Sequence, residues 1–212
     1  MPHVILTTVY EFDELSDAAK DAARQWYRER DYDTLWAESV IEDAQTIANL
    51  MGITFDQRAY KTTVGGSTVT KPMVSWSGFS SQGDGASFDG SYTYKKGSVK
   101  AVKAYAPRDM KLHRIVAGLF EVQKKHGYRL RAKSKVRGNY CHSGCMDIEV
   151  WDNKDEYIDL EGAVVIELLR DFANWIYRQL EAEYEHETSD EQVDENIRAN
   201  GYTFTKDGRR KG

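Results

Sequence analysis

Hydrophobic and polar positions divide the chain into a strand, a helical pair, a glycine-rich β region, and a second half dominated by two helices around a hairpin. Residues 4–12 are β-branched and aromatic and predict an opening strand. Ser16 then caps a helix whose inner stripe is Ala19, Ala22, Ala23, Trp26 and Tyr27. Thr34 caps a second helix, in which Leu35, Val40, Ile41, Ala44, Ile47 and Ala48 recur at helical spacing until Gly52 ends it. From Ile53 to Tyr94 the period falls to two, with Gly65, Gly66, Gly78, Gly83, Gly85 and Gly90 as punctuation, and this reads as an antiparallel meander. Within it, Asp84-Gly85 predicts a tight hairpin turn whose central residues take positive φ.

A third helix is predicted over residues 108–126, with Leu112, Ile115, Val116, Leu119 and Phe120 on one face and Gly127 beyond its end. Residues 128–137 then alternate strictly: Tyr128, Leu130, Ala132, Ser134 and Val136 share one face of a strand, and Arg129, Arg131, Lys133, Lys135 and Arg137 share the other. Met146 to Trp151 returns as the hairpin partner and places Asp147 and Glu149 beside that basic row. The longest helix is predicted over residues 159–187, its stripe formed by Leu160, Val164, Leu168, Phe172, Trp175, Ile176 and Leu180. Ser189 to Gln192 is a capping box opening a short polar helix, residues 202–205 suit a last strand, and residues 206–212 read as a flexible basic tail. The pattern predicts one α+β domain over residues 1–205, an antiparallel sheet of meander and hairpins with four to five helices packed mainly on one face.

Charge changes this picture more than composition does. The 212 residues are 41% hydrophobic and 30% charged, ordinary for a globular chain, and the 29 basic and 34 acidic side chains leave a formal charge of −5. That value conceals three blocks. Residues 1–94 hold 7 basic and 14 acidic side chains, residues 95–138 hold 14 and 2, and residues 139–212 hold 8 and 18, giving −7, +12 and −10. Two cysteines are too few for a disulfide scaffold, the N-terminus lacks a signal-like charge pattern, and no apolar run is long enough to cross a membrane. The expected location is the cytoplasm.

The basic row is the sharpest candidate site. Side chains at i and i+2 on a strand stand about 6.6 Å apart, near the ~7 Å between successive phosphates of one nucleic-acid strand. The row, joined by Lys95 and Lys96, suits a polyanion or an acidic protein surface; the alternative is a strand face compensated by Asp147 and Glu149. The loop residues Ser80, Ser81, Gln82 and Asp84 form a second candidate, suited to an anion or a metal, although the segment lacks the Gly-Lys-Ser/Thr of a phosphate loop and a glycine-dependent hairpin explains it as well. Cys141, His142 and Cys145 supply three soft ligands within five residues, short of the four that a structural zinc needs, and otherwise read as a tight turn. No acidic pair has the spacing of a two-metal or glycosidase centre, and the sequence calls for no cofactor.

Three segments carry a resemblance: residues 10–28 (YEFDELSDAAKDAARQWYR), residues 75–90 (SWSGFSSQGDGASFDG), and the C-terminal LEAEY and SDEQVDENIRANGYTF of residues 180–184 and 189–204. Together they are similar to the phage, prophage and plasmid proteins labelled "antitoxin of toxin–antitoxin stability system, N-terminal". The resemblance implies an accessory protein of a mobile element that acts by stoichiometric binding, as an antitoxin or as an anti-CRISPR-like or other inhibitor of a host defence complex, with a toxin or host protein as partner. It supplies no catalytic residues. Nucleic-acid binding through the basic strand is the first alternative, and a small metal- or Cys/His-dependent hydrolase the second.

Overall fold

The computed structural model describes residues 8–29, 35–61, 68–152 and 160–211. Its architecture is α+β: among the described residues six α-helices accompany short antiparallel strands. The chain divides into two compact units, residues 1–36 with 182–212, and residues 37–181. Both boundaries fall inside helices, and no composition shift or linker marks them.

The smaller unit contains helix α1 (Asp17–Glu29), which Ser16 caps by accepting the Ala19 N–H, and a one-turn helix over Phe12–Glu14 where the opening strand was expected to end. The rest of that expected strand lies mostly outside the described residues; Tyr10 makes one bridge to Phe204. Helix α1 packs on the short polar helix Asp190–Ala199, around Phe12, Leu15, Ala19, Ala23, Val193, Ile197 and Phe204. Arg24 forks onto Asp194 at 2.7 and 2.8 Å, and Arg198 reaches Asp13 at 2.9 Å. The expected basic tail is instead a hairpin. Arg210–Lys211 pair with Thr203–Phe204, Arg210 lies over the Tyr202 ring at 4.9 Å, and Gly208, at φ 80°, approaches α1 so closely that an added Cβ would stand 2.1 Å from the Ala19 carbonyl oxygen.

The larger unit takes up helix α2 (Leu35–Met51) from Ala37 onward, ended by Gly52 at φ 89°; the Thr34 cap lies outside the described residues. Six strands follow: β1 (Ile53–Phe55), β2 (Gln57–Lys61), β3 (Thr68–Pro72), β4 (Val74–Trp76), β5 (Ala86–Phe88) and β6 (Gly90–Thr93). They are antiparallel but nested, since β1 pairs with β6 around the hairpins β2–β3 and β4–β5. Single residues separate β1 from β2 (Asp56), β3 from β4 (Met73) and β5 from β6 (Asp89). At these residues every run changes partner, and their backbones close a ring: Asp56 N–H donates to Asp89 O at 2.9 Å, Asp89 N–H to Met73 O at 2.9 Å, and Met73 N–H to Asp56 O at 2.7 Å.

Helix α3 (Ser98–Tyr105) and helix α4 (Met110–Lys125) come next, the latter capped by Asp109. Strand β7 (Arg131–Val136) and strand β8 (Met146–Trp151) complete a four-stranded sheet of order β1-β6-β7-β8. One face of this sheet is buried through Ile53, Phe55, Tyr92, Leu130, Ala132, Met146, Ile148 and Val150. Helix α5 (Leu160–Glu187) contributes Phe172 to this core, its ring 6.4 Å from Phe55 and 6.1 Å from Phe88, and Gly118 of α4 packs against Leu168 of α5. The first turns of α5 bury Val165 rather than the expected Val164, which is exposed. The other face of the sheet meets solvent.

Candidate binding face

The strict alternation of β7 does what the sequence requires: Ala132 and Ser134 are buried, while Arg131 and Lys133 are exposed. Register then assembles the solvent face in rows. Thr93, Arg131 and Trp151 stand side by side; Ser91, Lys133 and Glu149 form the next row, with Thr54 beyond Ser91; Asp147 stands opposite Lys135. The basic row is therefore a real surface feature over Arg131–Lys135, with exposed Arg129 and Arg137 flanking the strand.

Its charges meet different fates. Lys135 Nζ donates to Asp56 Oδ2 at 2.6 Å and to Asp89 Oδ2 at 3.1 Å, and these bonds hold its ammonium above the usual lysine value. Asp89 also accepts the Val136 backbone N–H at 2.8 Å, so the ring of Asp56, Met73 and Asp89 is fastened to the end of β7. Arg137 Nε reaches Asp147 Oδ2 at 2.7 Å. The row thus loses two of its five cations to carboxylates. Among the described residues no carboxylate lies within salt-bridge distance of Arg129, Arg131 or Lys133, although Glu149 is the cross-strand neighbour of Lys133.

Beside the C-terminal cap of α4 lies an aromatic pair. Tyr94 and Tyr128 lie with ring centroids 4.4 Å apart, and Phe120 stands 6.1 Å from Tyr128. Tyr128 was expected to begin the strand; instead its φ is 62°, because Gly127 and Tyr128 complete the cap of α4 with Tyr128 N–H donating to Gln123 O at 2.7 Å. Lys96 is exposed, whereas Lys95 spends its ammonium on the Asn49 carbonyl at 2.7 Å.

The second candidate, the loop at Ser80, Ser81, Gln82 and Asp84, closes on itself. Asp84 Oδ2 accepts the N–H groups of Ser81 at 2.6 Å and Ser80 at 3.0 Å, and these bonds hold its carboxyl below the usual range. The donors that would cradle an anion are therefore in use. Nor is Asp84-Gly85 a tight turn of positive φ. Gly85 serves a close approach, since a Cβ there would stand 2.6 Å from His142 Cα. The third candidate is a turn. His142 Nδ1 accepts the Gly144 N–H at 3.1 Å, and Cys145 Sγ lies 3.5 Å from Nε2 and 3.8 Å from Nδ1. Among the described residues, no three His, Cys, Asp or Glu side chains gather to hold a metal.

An open groove of about 630 Å³ is lined by Asp109, Lys111, Asn174, Trp175, Tyr177, Arg178 and Gln179. Its charged groups serve one another: Asp109 takes the Leu112 N–H and the Trp175 indole, Lys111 pairs with Asp171, and Arg178 with Glu181.

A family described as a domain of unknown function, DUF8835, matches residues 36–190. The chain belongs to this family. No curated protein and no solved structure matches it. The DUF8835 region encloses the whole larger unit, and with it the basic face. That unit holds 20 basic and 18 acidic side chains, net +2; the smaller unit, mostly outside the match, holds 9 and 16, net −7. Among the described residues, no helix is long and apolar enough to cross a membrane.

Sequence reasoning missed Asp56 and Asp89, which decide how much of the row is free. The available signal was an isolated aspartate interrupting each alternating run, after Phe55 and after Phe88. It also missed Trp151, the cross-strand neighbour of Arg131.

Proposed function

We propose that this protein acts by stoichiometric binding, through the solvent face of the four-stranded sheet, on a partner whose contact surface is anionic. The observation that carries this reading is the unequal neutralisation of the row: Arg129, Arg131 and Lys133 stand exposed with no carboxylate within salt-bridge distance among the described residues, while Lys135 and Arg137 are paired. Aligned like charges repel one another, so three left uncompensated on a rigid sheet favour an external anion. A binding role needs no acid, base or nucleophile. The resemblance carried by residues 10–28, 75–90 and 180–204 adds a role for such binding, an antitoxin or an inhibitor of a host defence complex working in the bacterial cytoplasm.

The test is affinity purification of the tagged full chain from a host that contains its partner. The wild type and the Arg137→Glu variant recover a stoichiometric partner, and Arg131→Glu/Lys133→Glu recovers none. Equal recovery by all three proteins counts against this face.

A further inference from the structure

The hairpin of β2 and β3 buries none of its side chains; Tyr60 is 47% exposed and Val69, its cross-strand neighbour, 42%. Two strands alone are marginal in water and gain stability when further strands join them. The hairpin's ladder begins where Met73 N–H donates to Asp56 O at 2.7 Å. Rungs of an antiparallel ladder alternate, so Arg58 with Lys71 and Tyr60 with Val69 exchange the next hydrogen bonds. Gln57, Ala59 and Lys61 therefore turn their N–H and C=O groups away from β3, and Thr68, Thr70 and Pro72 turn theirs away from β2. The two edges are not equivalent. Pro72 has no N–H to offer, and Lys71 ties β3 to Glu38 of α2. Along β2 the outward groups are three donors and three acceptors, and among the described residues no strand pairs with them.

What fits this edge can be read from β2 itself. Only outward-facing residues exchange hydrogen bonds across a new ladder, so a second β2 pairs antiparallel about a two-fold axis at Arg58, Ala59 or Tyr60. An axis at Arg58 sets two guanidiniums opposite each other, and one at Tyr60 pairs only the three residues 59–61 of the strand. An axis at Ala59 pairs all five and opposes no like charges. It sets Gln57 opposite Lys61 and Ala59 opposite its own copy. It also sets Arg58 opposite Tyr60, repeating between copies the contact that Arg58 already makes with the Tyr60 ring at 5.7 Å. We infer that this chain forms a two-fold dimer in which the β2 strands of two copies pair about Ala59, joining both hairpins into one four-stranded sheet. The inference is independent of the binding face on β7.

The experiment is analytical ultracentrifugation of the full chain from about 1 to 300 μM, because a five-residue pairing is smaller than the ~1,600 Å² of a standard interface and associates in roughly the micromolar range. Wild type passes from monomer to dimer across that range. Ala59→Pro removes the two central hydrogen bonds between copies and spares the rungs to β3, raising the dissociation constant roughly 10- to 100-fold. Tyr60→Arg sets like charges opposite each other and weakens the dimer roughly 5- to 30-fold, and Arg58→Glu/Tyr60→Arg recovers it. Circular dichroism establishes that the variants fold. Register is read by cross-linking with oxidised glutathione in a Cys141→Ser/Cys145→Ser background. Ala59→Cys places two thiols on Cα atoms about 5.5 Å apart and yields a covalent dimer, whereas Gln57→Cys leaves them at least about 13 Å apart and yields none.

A chain that stays monomeric at about 300 μM overturns the inference. So does a dimer unmoved by both Ala59→Pro and Tyr60→Arg, or cross-linking at residue 57 as fast as at residue 59. A monomer whose β2 edge takes up a strand of another protein overturns it in the same way.

Discussion

Lys133 and Lys135 stand two residues apart on β7, face the same side of the sheet, and have an acidic cross-strand neighbour each, Glu149 and Asp147. Their surroundings differ all the same. Lys135 is held by Asp56 and Asp89, 79 and 46 residues away in sequence, while Asp147 turns to Arg137. Lys133 has only Glu149 nearby, outside salt-bridge distance among the described residues. Hairpin register therefore does not determine which cations of the row are free. The ring of strand breaks does, because it delivers two carboxylates to one end of β7 and none to the other. The closed end is also where the loop at Gly85 presses on His142, so structure and charge are both saturated there.

If that contrast is sound, the closed end fails first when its anchors are removed. Asp89 is 9% exposed and accepts from both the Val136 N–H and Lys135. Asp89→Ala strands the Val136 backbone donor and leaves Lys135 with Asp56 alone, and the expected loss is about 2–3 kcal/mol in urea denaturation. Asp89→Asn, which keeps an acceptor for Val136, recovers part of it. Asp147→Ala, its surface counterpart, stays within about 0.5 kcal/mol; equal losses in the two alanine variants would dissolve the comparison. Next in size is Ser134, on the buried side of the same strand, whose hydroxyl donates to the Phe88 carbonyl at 2.9 Å beside the ring. Ser134→Ala leaves that acceptor unpaired and costs about 1–2 kcal/mol, read from the same midpoints.

The parts of this arrangement visible in the sequence are those set by local periodicity and caps. Met146–Trp151 and the Ser189 cap were readable because alternation and capping chemistry act within a few residues. Helix α3 was not, since it spans only about two turns and follows Gly97, which is in a left-handed conformation and offers no side-chain cap. The phase of α5 near Val164 was ambiguous because four apolar residues, Ala163 to Ile166, run consecutively and allow either valine to face inward. Tyr128 kept the parity of the strand pattern although its backbone belongs to the α4 cap. The neutralising pair is the deepest omission: Asp56 and Asp89 meet Lys135 only after three strand runs have exchanged partners, and no window of sequence contains that event.

The finest test separates Lys135 from Lys133 by pH. Lys135→Ala should lower the melting temperature by roughly 2–4 °C, while Lys133→Ala stays within about 1 °C because it removes repulsion from Arg131 as well as any attraction to Glu149. Hydrogen bonds to Asp56 and then Asp89 raise the pKa of Lys135 in the folded state above its ordinary 10.5. A raised folded-state value stabilises the fold fully below the unfolded value and ceases to do so as pH climbs through the folded one. The difference between wild type and Lys135→Ala is therefore constant from neutrality to about pH 10.5 and closes above it. Burial also pushes the Tyr92 phenol up to about 12, so both proteins lose stability above pH 10, but this loss is common to them and cancels in the difference. Urea midpoints measured for both proteins across that range decide the matter: a gap that closes below pH 9, or one equally large for Lys133→Ala, would mean that the two lysines share one environment.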